Sequence, residues 1–235
     1  MSEQVRIALV GATGLVGRAI IEQSVGRADY RLLALARREV PVPTGATMDV
    51  VVAEPTAWGE VMGKFRPQVL ISALGTTIGK MGGDKDAFRA IDFDLVVDTA
   101  RAAHEHGVER CVVVSSVNAD PRAKMFYPKV KGEAEQALMK IGFKRLDLLR
   151  PGLLRGKRAD DPRFLEKAAM VVSPLTDLLM QGKYRSLRSI SAQDVAQAAL
   201  VLAHRKANGR FSHEHDALKL AAGELPRLSG AVGEA

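Results

Sequence analysis

The stretch Gly11-Ala12-Thr13-Gly14-Leu15-Val16-Gly17 constrains this chain more than any other. An apolar run, Val5-Arg6-Ile7-Ala8-Leu9-Val10, leads straight into it, and Leu15, Val16, Ile20 and Ile21 follow at helical spacing. A bare Gly-x-x-Gly-x-x-Gly says little, because glycines are common. Between a strand and a helix it describes a phosphate cradle. Gly11 permits the tight turn, Gly14 lets backbone approach a pyrophosphate, and Gly17 lets the helix lie close to the strand. The helix then presents its free N–H groups and positive dipole end to the anion. Thr13, Leu15 and Val16 fall within the same turn and are expected to border the bound dinucleotide.

The next apolar run, Tyr30-Arg31-Leu32-Leu33-Ala34-Leu35-Ala36, reads as a second strand and ends in Arg37-Arg38. Its end lies about twenty residues beyond the last glycine, where a dinucleotide fold meets the adenosine ribose. An acidic residue there would bond the ribose hydroxyls of NAD. Two guanidinium forks suit a 2′-phosphate instead, which points to NADP(H).

Further strands are expected at 48–52, 68–75, 111–116 and 146–150, separated by helices at 55–64, 85–106 and 127–140. A glycine-rich loop spans 79–84, and Gly107 is a helix stop signal. Strand and helix alternate through six strands, the pattern of an α/β Rossmann-type doubly wound parallel sheet with helices on both faces. Further helices are expected at 162–180 and from Ser191 to about His204, with a frayed end over 226–235. The whole chain, 1–235, reads as one domain, with 151–235 supplying the substrate-side segments. Leu74 and Gly75 end the fourth strand, where small residues would let adenine and ribose lie against backbone.

Composition narrows the function classes. With 47% hydrophobic and 26% charged residues the chain is ordinary for a globular protein, and no apolar run is long enough to span a bilayer. The polar start, Met1-Ser2-Glu3-Gln4, reads as no signal peptide. The single cysteine, Cys111, cannot form an internal disulfide and reads as a buried thiol. Together these set a cytoplasmic expectation. The formal net charge is +7, but the basic residues are dispersed and aromatics total only 5%, so an anionic cofactor or substrate is expected rather than nucleic acid. Arg155, Lys157 and Arg158 are either solvated or placed to attract an acidic substrate. His213 and His215 lack an evident third ligand, so no metal is expected. His104 and His106 close a helix C-terminus, where positive charge is favourable. A homo-oligomer is compatible with the sequence, which does not specify one.

The chemistry-bearing residues are Ser116, Tyr127 and Lys131. A phenol used as acid or base near neutral pH needs positive charge nearby. Lys131, four residues on, can share a helix face with Tyr127. Ser116, delivered by the fifth strand, can bond a carbonyl oxygen, while Tyr127 donates the proton that accompanies hydride.

These segments, together with Ile71-Ser72-Ala73-Leu74-Gly75-Thr76-Thr77, Tyr127-Pro128-Lys129-Val130-Lys131-Gly132-Glu133 and Leu149-Arg150-Pro151-Gly152-Leu153-Leu154, resemble an atypical short-chain dehydrogenase/reductase. The likeness is greatest to the branch that includes the Tat-interacting-protein-like oxidoreductases, and it covers roughly residues 5 to 205. It implies a Rossmann fold, NADP(H), redox chemistry on a small carbonyl or alcohol substrate, and a nicotinamide bordered by Pro151, Gly152 and Leu153. The branch also contains regulators, so a sensor that binds NADPH without turnover is the alternative. A sugar-nucleotide epimerase or dehydratase would need a larger substrate region. Two departures stand out. Pro128 directly follows the tyrosine, which puts Tyr127 at a helix start and predicts a loosened Tyr–Lys geometry. The helix that carries the family's relay asparagine offers Asp92, Asp94 and Asp98 here.

Overall fold

The computed structural model describes residues 4–156 and 182–225. The expected helix over 162–180, the expected fraying over 226–235, and Lys157 and Arg158 lie outside the described residues.

Seven strands form one parallel sheet: β1 (Val5–Val10), β2 (Tyr30–Ala36), β3 (Met48–Val52), β4 (Val69–Ser72), β5 (Arg110–Val114), β6 (Arg145–Leu149) and β9 (Gly209–His213). Their order is β3-β2-β1-β4-β5-β6-β9, so the direction of winding reverses between β1 and β4. A two-residue ladder pairs β7 (Leu154–Arg155) with β8 (Ile190–Ser191). The α/β doubly wound sheet expected from the strand–helix alternation is therefore present, with one strand more than the six expected.

Side chains alternate across β1. Val5, Ile7 and Leu9 enter one apolar layer, Ala8 and Val10 the other. The first layer is completed by α1 (Leu15–Ser24), α6 (Ala192–His204) and α7 (His215–Ala222). The second is completed by α2 (Trp58–Phe65), α4 (Val96–Glu105) and α5 (Phe126–Leu138), with Trp58, Met62, Ala100 and Leu138 buried in it. Cover on both faces is what lets β1, β2, β4 and β5 be nearly continuous apolar runs.

Local signals explain the element ends. The Ser191 hydroxyl accepts the Asp194 N–H at 3.0 Å and starts α6. Asp84 accepts from the backbone of Asp86 and Ala87 and starts α3 (Lys85–Arg89). The helix expected over 85–106 is helical throughout but not uniform, because Ala90–Leu95 is π-helical between α3 and α4. His106 caps α4, its Nδ1 2.8 Å from the Ala102 carbonyl. The 79–84 loop begins as a 3₁₀ turn, Ile78–Met81, capped by the Thr77 hydroxyl.

The unexpected strand, β9, is an edge strand of alternating exposure, Gly-Arg-Phe-Ser-His. It is fastened to β6 by His213 Nε2, 2.8 Å from the buried Asp147, and by the Arg145 guanidinium, which lies 4.3 Å over the Phe211 ring. Arg145 also grips Asp147 with two bonds of 2.6 and 2.8 Å. His213 thus answers a carboxylate on β6, while His215 begins α7 beside Asp216. Among the described residues no group of three or more His, Cys, Asp or Glu could hold a metal ion.

Candidate dinucleotide and catalytic site

The reversal of winding opens a cleft at the carboxyl ends of β1 and β4, the place where open α/β sheets take ligands. Gly11 turns the chain out of β1 at φ +80°. A Cβ on it would stand 2.4 Å from the Ala73 backbone, so the loops after β1 and β4 touch because residue 11 has no side chain. A Cβ on Gly17 would stand 2.2 Å from the Gly11 carbonyl oxygen, which holds α1 tightly under the turn. Gly14 caps α1 with no side-chain hydrogen bond, and the first turn of α1 holds no acidic residue. The N–H groups and dipole of α1 thus lack a side-chain anion of their own. Those are the properties a pyrophosphate needs, and the cradle fits a dinucleotide.

A cavity of about 210 Å³ opens there. Its walls carry Thr13, Gly14, Leu15, Val16 and Arg18 from the glycine turn and α1. Ala73 to Thr77 and Lys80 come from the loop after β4, Val114 and Ser115 from β5, Asp92 from the π-helical stretch, Tyr127 and Lys131 from α5, and Leu154 from β7.

Tyr127 and Lys131 therefore reach one cavity from one face of α5. Tyr127 is the second residue of the helix and Pro128 the third. There the missing proline N–H breaks no helical bond, because first-turn N–H groups have no partner within the helix. With Pro128 in that first turn, Tyr127 and Lys131 both line the cavity. The Tyr127 ring packs against Phe88, centroids 5.6 Å apart. The Lys131 side chain is only 8% exposed, and its Nζ lies 2.7 Å from Asp92 Oδ1.

Ser116 requires a correction of placement. Backbone pairing continues past β5, with Ser115 N–H donating to Leu149 and Val117 N–H to Pro151. Adjacent side chains therefore alternate, and it is Ser115 that borders the cavity. Ser116 instead donates to the Val117 carbonyl at 3.2 Å. The Ser115 hydroxyl donates to the buried Glu135 at 2.6 Å, and Glu135 is paired in turn with Arg150.

Other expected contacts divide. Leu74 and Gly75 line the cavity; Arg37 and Arg38 are exposed just past the end of β2, outside its walls. Pro151, Gly152 and Leu153 stop short of it, and Leu154 is the wall residue from that loop. A Cβ on Gly152 would meet the Arg188 carbonyl at 2.4 Å, so the close approach there serves the chain rather than the cavity. Arg155 is exposed beyond Leu154. Residues not anticipated are Arg18, whose Nε donates to the Thr13 carbonyl at 3.0 Å, and Thr76, Thr77 and Lys80. The arginine after the last cradle glycine was the one readable signal among them.

Glycine cradle, switch-point cavity and Tyr–Lys helix define the class: a nucleotide-binding domain of oxidoreductase-like Rossmann fold. Within it the chain belongs to the NAD(P)H-binding family, whose sequence profile matches residues 11–206. It is 32% identical over 198 residues to Protein FMP52, mitochondrial, of Eremothecium gossypii, covering 83% of this chain and 87% of that one. With the Candida albicans protein of the same name it shares 31% over 209 residues, 86% and 90% of the two chains. In structure it is similar to MoeE5 in complex with UDP-glucose and NAD, at TM-score 0.68 and 15% identity over 96% of this chain and 82% of that one. It is also similar to a dTDP-4-dehydrorhamnose reductase from Bacillus anthracis in complex with NADP, at TM-score 0.65 and 13% identity over the same shares. At these identities the structural likeness is one of fold.

The relatives overturn the cytoplasmic expectation, since the fungal FMP52 proteins are designated mitochondrial. The expectation rested on the lack of a bilayer-long apolar run, the polar first residues and a lone cysteine, which is buried as Cys111 with its thiol pushed up by burial. Such a thiol speaks only to the lack of an internal disulfide, which does not separate one reducing compartment from another.

Proposed function

We propose that the protein is an NADP(H)-dependent reductase acting on a small carbonyl compound. The observation that carries this reading is that Tyr127 and Lys131 open into the same cavity as the glycine cradle. When bound, the reduced nicotinamide supplies hydride. The chain's own part is to bind the pyrophosphate on the N–H groups of α1, to hold the substrate against the wall of α5, and to deliver a proton. Tyr127 gives that proton to the carbonyl oxygen from its hydroxyl, and Lys131 supplies positive charge and hydrogen-bond donors beside it. The wall serine is Ser115 rather than Ser116; its hydroxyl proton goes to Glu135, so the carbonyl oxygen takes its donors from Tyr127 and Lys131. Arg37 and Arg38 at the end of β2 favour the 2′-phosphate of NADP(H) over NAD(H). Arg18 and Lys80 make the mouth of the cavity basic, which suits an acidic carbonyl substrate as well as the cofactor.

A panel of aldehydes and ketones offered with NADPH, read by loss of the reduced nicotinamide's absorbance, tests the proposal. Tyr127→Phe is expected to remove turnover, by at least about 10²-fold, with NADPH affinity nearly unchanged. Undiminished turnover in that variant would refute the assignment. A second reading, a sensor that binds NADPH without turnover, draws on one observation: the Ser115 hydroxyl already donates to Glu135 and has no second proton for a carbonyl. Binding of NADPH with no turnover across the panel would select it.

A further inference from the structure

Asp92 has no part in the reaction just described, yet it is the acid built most deeply into the cavity wall. Its side chain is wholly buried. One carboxylate oxygen, Oδ2, accepts the Thr76 N–H at 2.8 Å, and the other, Oδ1, faces the Lys131 ammonium at 2.7 Å. Gly75 borders the pair, since a Cβ there would be in ordinary van der Waals contact with both, 3.4 Å from Asp92 Oδ1 and 3.6 Å from Lys131 Nζ. Asp92 also stands in the π-helical stretch Ala90–Leu95, and a widened turn of this kind re-aims the side chains it carries.

Stability alone explains this arrangement poorly. A buried ion pair commonly does no better than apolar groups of the same shape, because both ions give up water. What the pair does supply is location. A lysine ammonium is a point charge on a four-carbon stem, with three equivalent donors and many rotamers. Once the ammonium is drawn to a carboxylate that is itself fixed by backbone, its place at the cavity wall is defined, although Oδ1 accepts no aligned hydrogen bond.

We propose that Asp92 is a positioning residue, which acts through Lys131 by holding the ammonium beside Gly75 at the cavity wall through their ion pair. The inference rests on the reductase reading for its kinetic consequence, but the pairing itself does not. Two variants and two readouts separate the cases. Asp92→Asn keeps the size and removes the charge; kcat is expected to fall about thirtyfold, the order expected when a catalytic group loses its place. The KM for the carbonyl should move less than about threefold, because the substrate's own contacts are untouched. Asp92→Glu keeps the pair, does not strand a buried ammonium, and should fold even where the asparagine variant does not. The ammonium is displaced by the extra methylene, and kcat is expected to drop about fivefold. Wild-type kcat in either folded variant overturns the assignment.

The second readout needs no turnover. Lys131 and the exposed Lys129 are labelled in competition by acetic anhydride and quantified by mass spectrometry. Buried and paired with Asp92, Lys131 should label slowly. In Asp92→Asn, with the carboxylate that holds the buried side chain in place removed, its rate relative to Lys129 should rise about tenfold; in Asp92→Glu it should stay low. An unchanged ratio in the asparagine variant overturns the inference even if the enzyme is active. If no carbonyl is turned over by the wild-type protein, the reductase reading fails alone, and the labelling still decides the role of Asp92.

Discussion

Gly17→Ala is the sharpest perturbation available to the cradle, because the added atom has a known destination. Its Cβ would lie 2.2 Å from the Gly11 carbonyl oxygen, 2.8 Å from the Gly11 carbonyl carbon and 2.8 Å from Ala12 Cα. All three are backbone atoms, so no side chain can swing aside. Relief requires α1 to move away from the turn by about 1 Å to restore ordinary van der Waals separation. α1 is packed on α6 and β1 through the buried Val16, Ala19, Ile20 and Ile21, so that movement strains a filled layer. Overpacking of this kind costs about 1–3 kcal/mol. The same movement withdraws the N–H groups that would meet the pyrophosphate, so NADPH binding should weaken on the order of tenfold or more. Gly14→Ala supplies the contrast. Its Cβ would meet the Gly11 oxygen at 3.2 Å and nothing else closer than 3.8 Å, a clash of a few tenths of an ångström, but Gly14 lies exposed on the cavity wall. It should lose NADPH affinity with little loss of stability. Urea unfolding read by the single, buried Trp58, together with a fluorescence titration of NADPH, measures both quantities. A wild-type unfolding midpoint in Gly17→Ala would refute the reasoning, since the helix would then have room that the distances deny it.

Two further outcomes are expected. His204 is half-buried against the Tyr30 ring, and burial holds its imidazole below the usual histidine range, with Arg110, Arg27 and Lys206 adding to the effect and Asp29 opposing it. The unfolded chain therefore binds the proton more readily than the folded one. The stability this contributes is fully present above the unfolded value of about 6.5 and is lost as pH falls through the folded value. Urea midpoints should thus fall between pH 7.5 and pH 5 in the wild type and fall less in His204→Phe; equal slopes would refute it. Replacing Arg37 and Arg38 together by alanine should remove any preference for NADPH over NADH in paired titrations, with NADH affinity nearly unchanged, and a preference that survives would assign it elsewhere on the cavity wall.

The parts of the fold that could be read from sequence are those whose signals are local. β1, β2 and β5 are apolar runs because both sheet faces are covered, and the glycine turn announces the switch point on which the cavity opens. β9 could not be read this way. Gly209–His213 is half exposed and polar, and it becomes a strand through Asp147 and Arg145, more than sixty residues away. Within the cavity, the i, i+4 spacing of Tyr127 and Lys131 was legible because a helix preserves it. The choice between Ser115 and Ser116 was not, because neighbours leaving a strand point opposite ways and the phase is set by pairing with β6. Asp92 was hidden for a similar reason. Asp92, Asp94 and Asp98 share one helical stretch, and the π-helical turn aims only Asp92 at Lys131 among them.

The outermost ribbon of the sheet comes from far down the chain. β6, buried along all five of its residues, is shielded on its open side by Gly209–His213 alone among the strands. A product truncated near Arg205 would retain the cradle, the cavity walls and α6, yet it would lay bare the outer amides and carbonyls of β6 and the apolar face of α6 that α7 covers. Such a fragment should self-associate rather than merely lose affinity, so the limit for a minimal version of this molecule is set by Leu225, the last described residue buried in that layer, and not by the last residue that lines the cavity.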